Sequence, residues 1–269
     1  MVAGEAMSGW TRGAVAAALA VLAAVVVVAV VVRSVAPGPA AGVRVRARAV
    51  PAVSAPEPGV RPLRRVGRTD CRVARCVALT FDDGPSALTG AFLDELEAER
   101  ATATFFLIGG HVAERPGVVR REFRHGFAIG DHTAHHPDLT RLPPARVRAE
   151  VALGARQIAR VTGVRPRMLR PPFGRQDATV RAAARMPVIE YDVTSLDWRR
   201  HGAAAIERRV LARVRPGSIV LLHDRYRGTL IAVPRIVAAL RARGYTLVTV
   251  PQLLATTGMR AGAVYFRGP

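Results

Sequence analysis

Two carboxylates stand side by side at Asp82 and Asp83, directly after an apolar run and directly before a Gly-Pro turn. A second cluster, Asp131-His132-Thr133-Ala134-His135-His136-Pro137, holds three imidazoles within five positions. On a helical turn, His132 and His136 would share a face and could grip one cation, with His135 out of phase with both. Two neutral imidazoles and one carboxylate make a three-ligand set that leaves positions open for water and substrate, as in catalytic metal centres. Asp83 is the natural third ligand. A bound cation changes the electrostatics of the carboxylate it holds, so Asp82 takes a different role and is free to act as a base. Taken singly, the first string also reads as an Asp-rich turn with a helix cap, and the second as structural histidines.

Three further strings could contribute. In Arg170-Pro171-Pro172-Phe173-Gly174 the prolines fix the backbone and push the residue before each of them out of the helical region. That would hold Arg170 and the Phe173 amide in a set geometry, although a rigid loop with a solvent-facing Arg fits equally well. Ser195-Leu196-Asp197-Trp198 follows a strand-like run, and Ile219-Val220-Leu221-Leu222-His223-Asp224 is an apolar run that ends in a histidine. A histidine at the C-terminal end of a strand suits acid–base work.

These residues need a frame. Strands are expected at 77–81, 103–108, 188–193, 218–222 and 246–250. Helices are expected at 91–100, 116–125, 144–162, 203–214 and 231–243, from apolar residues at helical spacing. Strands alternating with helices predict an α/β domain with a parallel sheet or barrel, and a site at the C-terminal strand ends.

The chain has 269 residues, half of them hydrophobic, enough for one sizeable α/β domain. Its formal net charge is +20. All of the positive charge is Arg, spread along the chain rather than gathered in one run, which argues for compositional bias and against nucleic-acid binding. A groove that attracts an anionic cell-wall polymer stays open as a reading. Cys71 and Cys76 are too few for a disulfide scaffold but could close a short loop in an exported domain.

Residues 13–32 carry no charge and are nearly all Ala, Val and Leu, enough for a helix to span about 30 Å of hydrocarbon. We expect a short tail at 1–12, a transmembrane anchor (or cleaved signal sequence) at 13–32, and a flexible linker at 33–69. A catalytic domain follows at 70–257 and a C-terminal tail at 258–269. Arg33, Arg44, Arg46 and Arg48 follow the apolar stretch, so the positive-inside tendency opposes an external domain. The chemistry favours one.

TFDDGP at 80–85, HTAHH at 132–136, RPPFG at 170–174, SLDW at 195–198 and LLHD at 221–224 together resemble the polysaccharide deacetylases with a NodB-homology domain, carbohydrate esterase family 4. The likeness runs from about residue 76 to 254. It implies a distorted (β/α) barrel and one divalent metal ion, Zn2+ with Co2+ or another divalent ion as alternatives, held by Asp83, His132 and His136. It further implies that Asp82 is the general base, oriented by Arg170, and that Asp197 holds His223, the general acid. Trp198 would line the groove, Leu221 would help form the acetyl-methyl pocket, and the Phe173 amide would face the oxyanion. The chain departs from the family at Thr194, where an acidic residue is frequent. Phe173 stands where Tyr is also common.

The expected activity is release of acetate from N-acetylated polysaccharide. Peptidoglycan is the first candidate, with chitin oligosaccharide, exopolysaccharide or xylan fitting the same chemistry. The expected location is the cell membrane, single-pass, with the domain outside, or secretion after cleavage. A non-catalytic carbohydrate-binding module on the same fold is the competing reading, and a basic membrane protein binding nucleic acid or lipid is a third.

Overall fold

The computed structural model describes residues 69–199 and 202–269. The tail at 1–12, the anchor at 13–32 and all but the last residue of the expected linker lie outside the described residues. Among the described residues no helix is long and apolar enough to cross a membrane.

The elements run β1 (Cys76–Gly84), α1 (Thr89–Ala98), β2 (Thr104–Leu107), α2 (Gly109–Glu114), α3 (Pro116–Arg124), β3 (Ala128–Asp131), α4 (Pro144–Thr162) and α5 (Ala178–Ala184). They continue with β4 (Val188–Ile189), β5 (Val193–Thr194), α6 (Ala203–Arg213), β6 (Ile219–His223), α7 (Arg227–Ala242), β7 (Thr246–Leu247), α8 (Val250–Leu253) and β8 (Val264–Tyr265). The main sheet has the order β3-β2-β1-β6-β5, with β7 also pairing β1, and every ladder in it is parallel. Leu169 bridges Asp131 on one side and Val188 on the other, which carries the ring from β3 to β4. No ladder joins β4 to β5 among the described residues, so the barrel is distorted and open there.

Strand alternation sorts β1 into two faces. Val77, Leu79 and Phe81 join Phe92, Leu93 and Phe105 in the core beneath the helices. Ala78 points the other way, into an interior cluster with Phe106, Met168, Ile189 and Ile219. The same period places Thr80 and Asp82 on that inner face. A buried strand therefore delivers a carboxylate to the mouth of the barrel, and its neighbour Asp83 follows as the strand ends.

α4 spans 144–162 as expected, because its limits are written chemically: Pro144 occupies the first turn and Gly163, at φ 76°, supplies the left-handed cap. Other expectations need correction. The strand expected at 188–193 is two strands with different partners, β4 pairing β8 and β5 pairing β6. The strand expected at 246–250 stops at Leu247, since Thr249 forms a capping box with Gln252 and opens α8. The helix expected at 231–243 starts at Arg227 and carries Pro234 inside it. Residues 258–269, expected as a tail, contribute β8, which pairs with β4. β3, α2 and α5 are additions.

α4 packs against the loop after β3 at a glycine. A Cβ at Gly154 would meet Asp131 Oδ1 and lie 2.8 Å from the Thr133 carbonyl carbon. In an exposed helix, Gly→Ala would gain about 1 kcal/mol. Here we expect Gly154→Ala to lose about 1–3 kcal/mol by overpacking, read from urea unfolding. A midpoint equal to or above that of the parent would show that the helix is not confined there.

Candidate active site

The loop after β3 carries the imidazoles. Sequence spacing placed His132 and His136 on a helical turn, and the structure corrects this. The segment is a loop in which Thr133 (φ 69°) and His136 (φ 58°) take left-handed conformations. A tight loop folds positions four apart onto one side as well as a helix does. Asp131 Oδ1 accepts the Thr133 amide at 2.9 Å, and Thr133 Oγ1 accepts the His136 amide at 3.0 Å, so the loop is tied from within. The ring centroids of His132 and His136 lie 4.8 Å apart.

Both imidazoles present Nε2 to the same oxygen. Asp83 Oδ1 lies 3.6 Å from His132 Nε2 and 3.3 Å from His136 Nε2. One donor atom from each of the three residues lies within 4.8 Å of the others. His132 Nδ1 donates to the Arg170 carbonyl at 2.6 Å, which fixes the tautomer and aims Nε2 inward. Two imidazoles and a carboxylate converging on one point fit a divalent cation. Burial alone would raise the Asp83 pKa, but hydrogen bonds from His132 and His136 hold it far below the usual carboxylate range. Burial alone would lower His132, yet Asp82 and Asp83 raise it. The field that draws a proton to His132 would equally draw a cation. His135 faces away and pairs with Glu150 at 3.0 Å.

Asp82 is held differently. Arg170 Nη1 donates to its Oδ1 at 2.8 Å, while Oδ2 lies 3.9 Å from His132 Nε2. Arg170 is buried, and its other donors reach the Thr80 hydroxyl (2.6 Å) and the carbonyls of Ile189 (3.0 Å) and Glu190 (3.1 Å). Its guanidinium lies over the Phe106 ring at 4.2 Å. The sequence left Arg170 between a poised group and a solvent-facing one; it lies inside the barrel.

β6 ends at His223, in register with Asp82 on β1. His223 Nδ1 donates to Asp197 Oδ1 at 2.8 Å, which leaves Nε2 for the pocket. Asp197 Oδ2 accepts the His223 amide and the Thr229 hydroxyl, each at 2.8 Å. Asp197 is therefore supported without Thr194, whose hydroxyl accepts the Leu196 amide at 3.3 Å instead. Asp82, Asp83, His132, His136, Phe173, Trp198, Leu221 and His223 line one cavity of about 360 Å³. Phe173, at φ 62°, is exposed at its rim and its ring packs on His136 at 4.6 Å. Cys71 and Cys76 form a disulfide that ties the approach to β1 to the strand's first residue.

The sequence profile of polysaccharide deacetylases matches residues 69–189. The chitooligosaccharide deacetylase of a Bradyrhizobium species is 38% identical over 213 residues, covering 71% of this chain and 97% of that protein. This chain belongs to the polysaccharide deacetylase family. The peptidoglycan-N-acetylglucosamine deacetylase PgdA of Listeria monocytogenes is 34% identical over 191 residues, which cover 71% of this chain and only 41% of that protein. The solved structure of T48 deacetylase with substrate superposes with a TM-score of 0.72 at 40% identity, over 73% of this chain and 99% of that one.

In this deacetylase-family pocket, sequence reasoning missed Tyr191, Gly174 and Tyr226, which complete the lining. It also missed Thr229, which braces Asp197, and Thr80, which braces Arg170. Tyr191, Tyr226 and Thr229 lie outside the five strings; Gly174 and Thr80 lie inside two of them but were given no role, and Thr80, on the inner face of β1, could have been found from strand alternation. Glu190 is buried next to Arg170, and burial, reinforced by Asp82, pushes its pKa up to about 7.

Burial would lower His223, but its bond to Asp197 and that carboxylate's charge raise it above its ordinary value. The imidazolium therefore persists to higher pH than in a free histidine. Asp197→Asn should remove that charge while burial and the Asp82 and Asp83 carboxylates remain, lowering the His223 pKa. An NMR titration of the His223 ring measures this, and an unshifted curve would separate the two residues.

Proposed function

We propose that this chain is a metal-dependent hydrolase that removes N-acetyl groups from amino sugars of a polysaccharide and releases acetate, with peptidoglycan as substrate and zinc as the ion. The observation that carries the reading is a division of labour between adjacent carboxylates. Asp83 turns to two imidazoles, and Asp82 is held by Arg170 with one oxygen left toward the same cavity.

When bound by Asp83, His132 and His136, a divalent cation supplies Lewis-acid polarisation of water and of the acetyl carbonyl. Asp82 Oδ2 accepts the proton of the attacking water, its other oxygen being committed to Arg170. The Phe173 amide, set by the proline-fixed turn, donates to the oxyanion that forms. His223, with Nδ1 engaged by Asp197, passes a proton from Nε2 to the sugar nitrogen as the C–N bond breaks, because an amide nitrogen leaves poorly as an anion. Water thus adds hydroxyl to the acyl carbon and a proton to nitrogen. Leu221 closes on the acetyl methyl, while Trp198 and Phe173 offer aromatic walls to the sugar rings.

Relatives named for peptidoglycan and for chitooligosaccharide both act on N-acetylated sugars, which supports amide rather than ester cleavage. The +20 charge favours an anionic polymer, and so peptidoglycan. We infer that the domain works outside the cell, anchored by residues 13–32 or secreted after their cleavage. The Cys71–Cys76 disulfide supports an oxidising compartment.

Purified enzyme should release acetate from N-acetylated glycan. Asp82→Asn should cut kcat by at least ~100-fold, the usual scale for loss of an acid–base group. A variant with near-parental turnover would remove Asp82 from the base role. Exhaustive chelation should abolish activity and Zn2+ should restore it; acetate release untouched by chelation would end the metal assignment.

A further inference from the structure

A second cleft opens on the far side of Asp83. It has a volume of about 300 Å³, and its lining includes Asp83, Ser86, His111, Glu114, Arg115 and Arg225. Because Asp83 lines both cavities, this cleft adjoins the site described above.

Its lining sets two guanidiniums, Arg115 and Arg225, against the carboxylates of Asp83 and Glu114. Arg225 Nη1 lies 3.4 Å from Asp83 Oδ2, a long contact that engages one of a guanidinium's five donors. Arg115 pairs with Glu114 at 3.0 Å, an exposed and water-screened pair that a better-placed anion can displace. His111 Nδ1 lies 3.1 Å from the Asp83 carbonyl oxygen. A carbonyl only accepts, so the ring proton sits on Nδ1. The turn at 86–88, which leads into α1, closes the cleft. That helix has no side-chain cap at Leu88 and no acidic residue in its first turn, and the Asp224 carboxylate accepts the hydroxyl of its first residue, Thr89. Apart from Asp83, the deacetylation chemistry uses none of these groups.

We propose that this cleft is a subsite for a carboxylate carried by the substrate chain next to the sugar being deacetylated, read chiefly by Arg115 and Arg225. The inference rests on the deacetylase reading and narrows its substrate to an acidic glycan. Muramic-type sugars bear such a group as a lactyl ether, and guanidinium donors match a carboxylate's two oxygens. A chain of neutral N-acetylglucosamine has nothing to place there.

Three oligosaccharides test this: an alternating N-acetylglucosamine–N-acetylmuramic acid tetramer, the same tetramer with its lactyl carboxyls reduced to alcohols, and the tetramer with short peptides on the lactyl groups. Acetate release gives kcat/KM for each. The parent enzyme should prefer acid over alcohol by ~10-fold or more, the scale of a hydrogen bond to a charged group. Arg115→Gln and Arg225→Gln should each shrink that ratio several-fold, chiefly through KM, with melting temperatures unchanged. Retained preference for the peptide-bearing tetramer would place a peptide carboxylate in the cleft, and its loss would place the lactyl one. Equal kcat/KM on acid and alcohol, with both deacetylated, overturns the subsite and leaves the deacetylase intact. So does a preference that survives in the double variant, or variants that only relieve inhibition by acetate. If neither tetramer releases acetate, the deacetylase reading fails first and the subsite with it.

Discussion

A guanidinium inside the barrel is the constraint to which the rest of the site answers. Arg170 is 1% exposed, and a charge that cannot be shed at any ordinary pH must there be met donor by donor. Four oxygens meet it, from Thr80, Asp82, Ile189 and Glu190. Those partners sit on β1 and on the segment through β4, so one side chain ties two separated parts of the ring together. The arrangement also fixes one carboxylate oxygen of Asp82 and leaves the second toward His132. Truncating a buried, paired charge would strand its partner at a cost of about 3–5 kcal/mol. The ion pair is thus part of the fold before it is part of the chemistry.

The loops around that pair take conformations that L residues avoid. Asp83, Thr133, His136, Phe173 and Leu196 all have φ between 55° and 70°. Each such residue costs about 1–2 kcal/mol relative to its right-handed counterpart. Two belong to the group that could hold a metal ion, Phe173 lies at the cavity rim, Thr133 lies between the imidazoles, and Leu196 precedes Asp197. Strain of this kind persists only where the surroundings over-determine it. Here the surroundings are internal loop bonds such as Asp131 to the Thr133 amide, and the helix α4 pressed against that loop at Gly154. Side chains that must converge from several strand ends are aimed by backbone that regular structure would not supply.

Most of the chemistry was legible in the chain because it sits in short contiguous strings at strand ends. Asp82-Asp83, His132 and His136, and His223 announce their types and positions locally. α4 was legible to the residue because Pro144 and Gly163 mark its limits. What failed to show were features set by distant partners. Glu190-Tyr191-Asp192 looked like the middle of one strand, since nothing local reveals that the chain leaves β8 as partner before joining β6. The helical placement of His132 and His136 failed because period alone cannot separate a helix from a tight loop. Arg170 was readable as rigid, but its burial depends on Thr80 and Asp82, about ninety positions away.

Asp83 shows how far one carboxylate can serve two directions. Its Oδ1 turns to the imidazoles and its Oδ2 to Arg225, while its own carbonyl accepts from His111. The residue is therefore a wall shared by two cavities rather than the end of one. A polymer lying across it would place an acetamide over the imidazole side and whatever the neighbouring sugar carries over the guanidinium side. Two arginines on separate segments, between α2 and α3 and between β6 and α7, come together at this wall, each beside a carboxylate. Residues far apart in the sequence are gathered there because the chain's topology brings strand ends together.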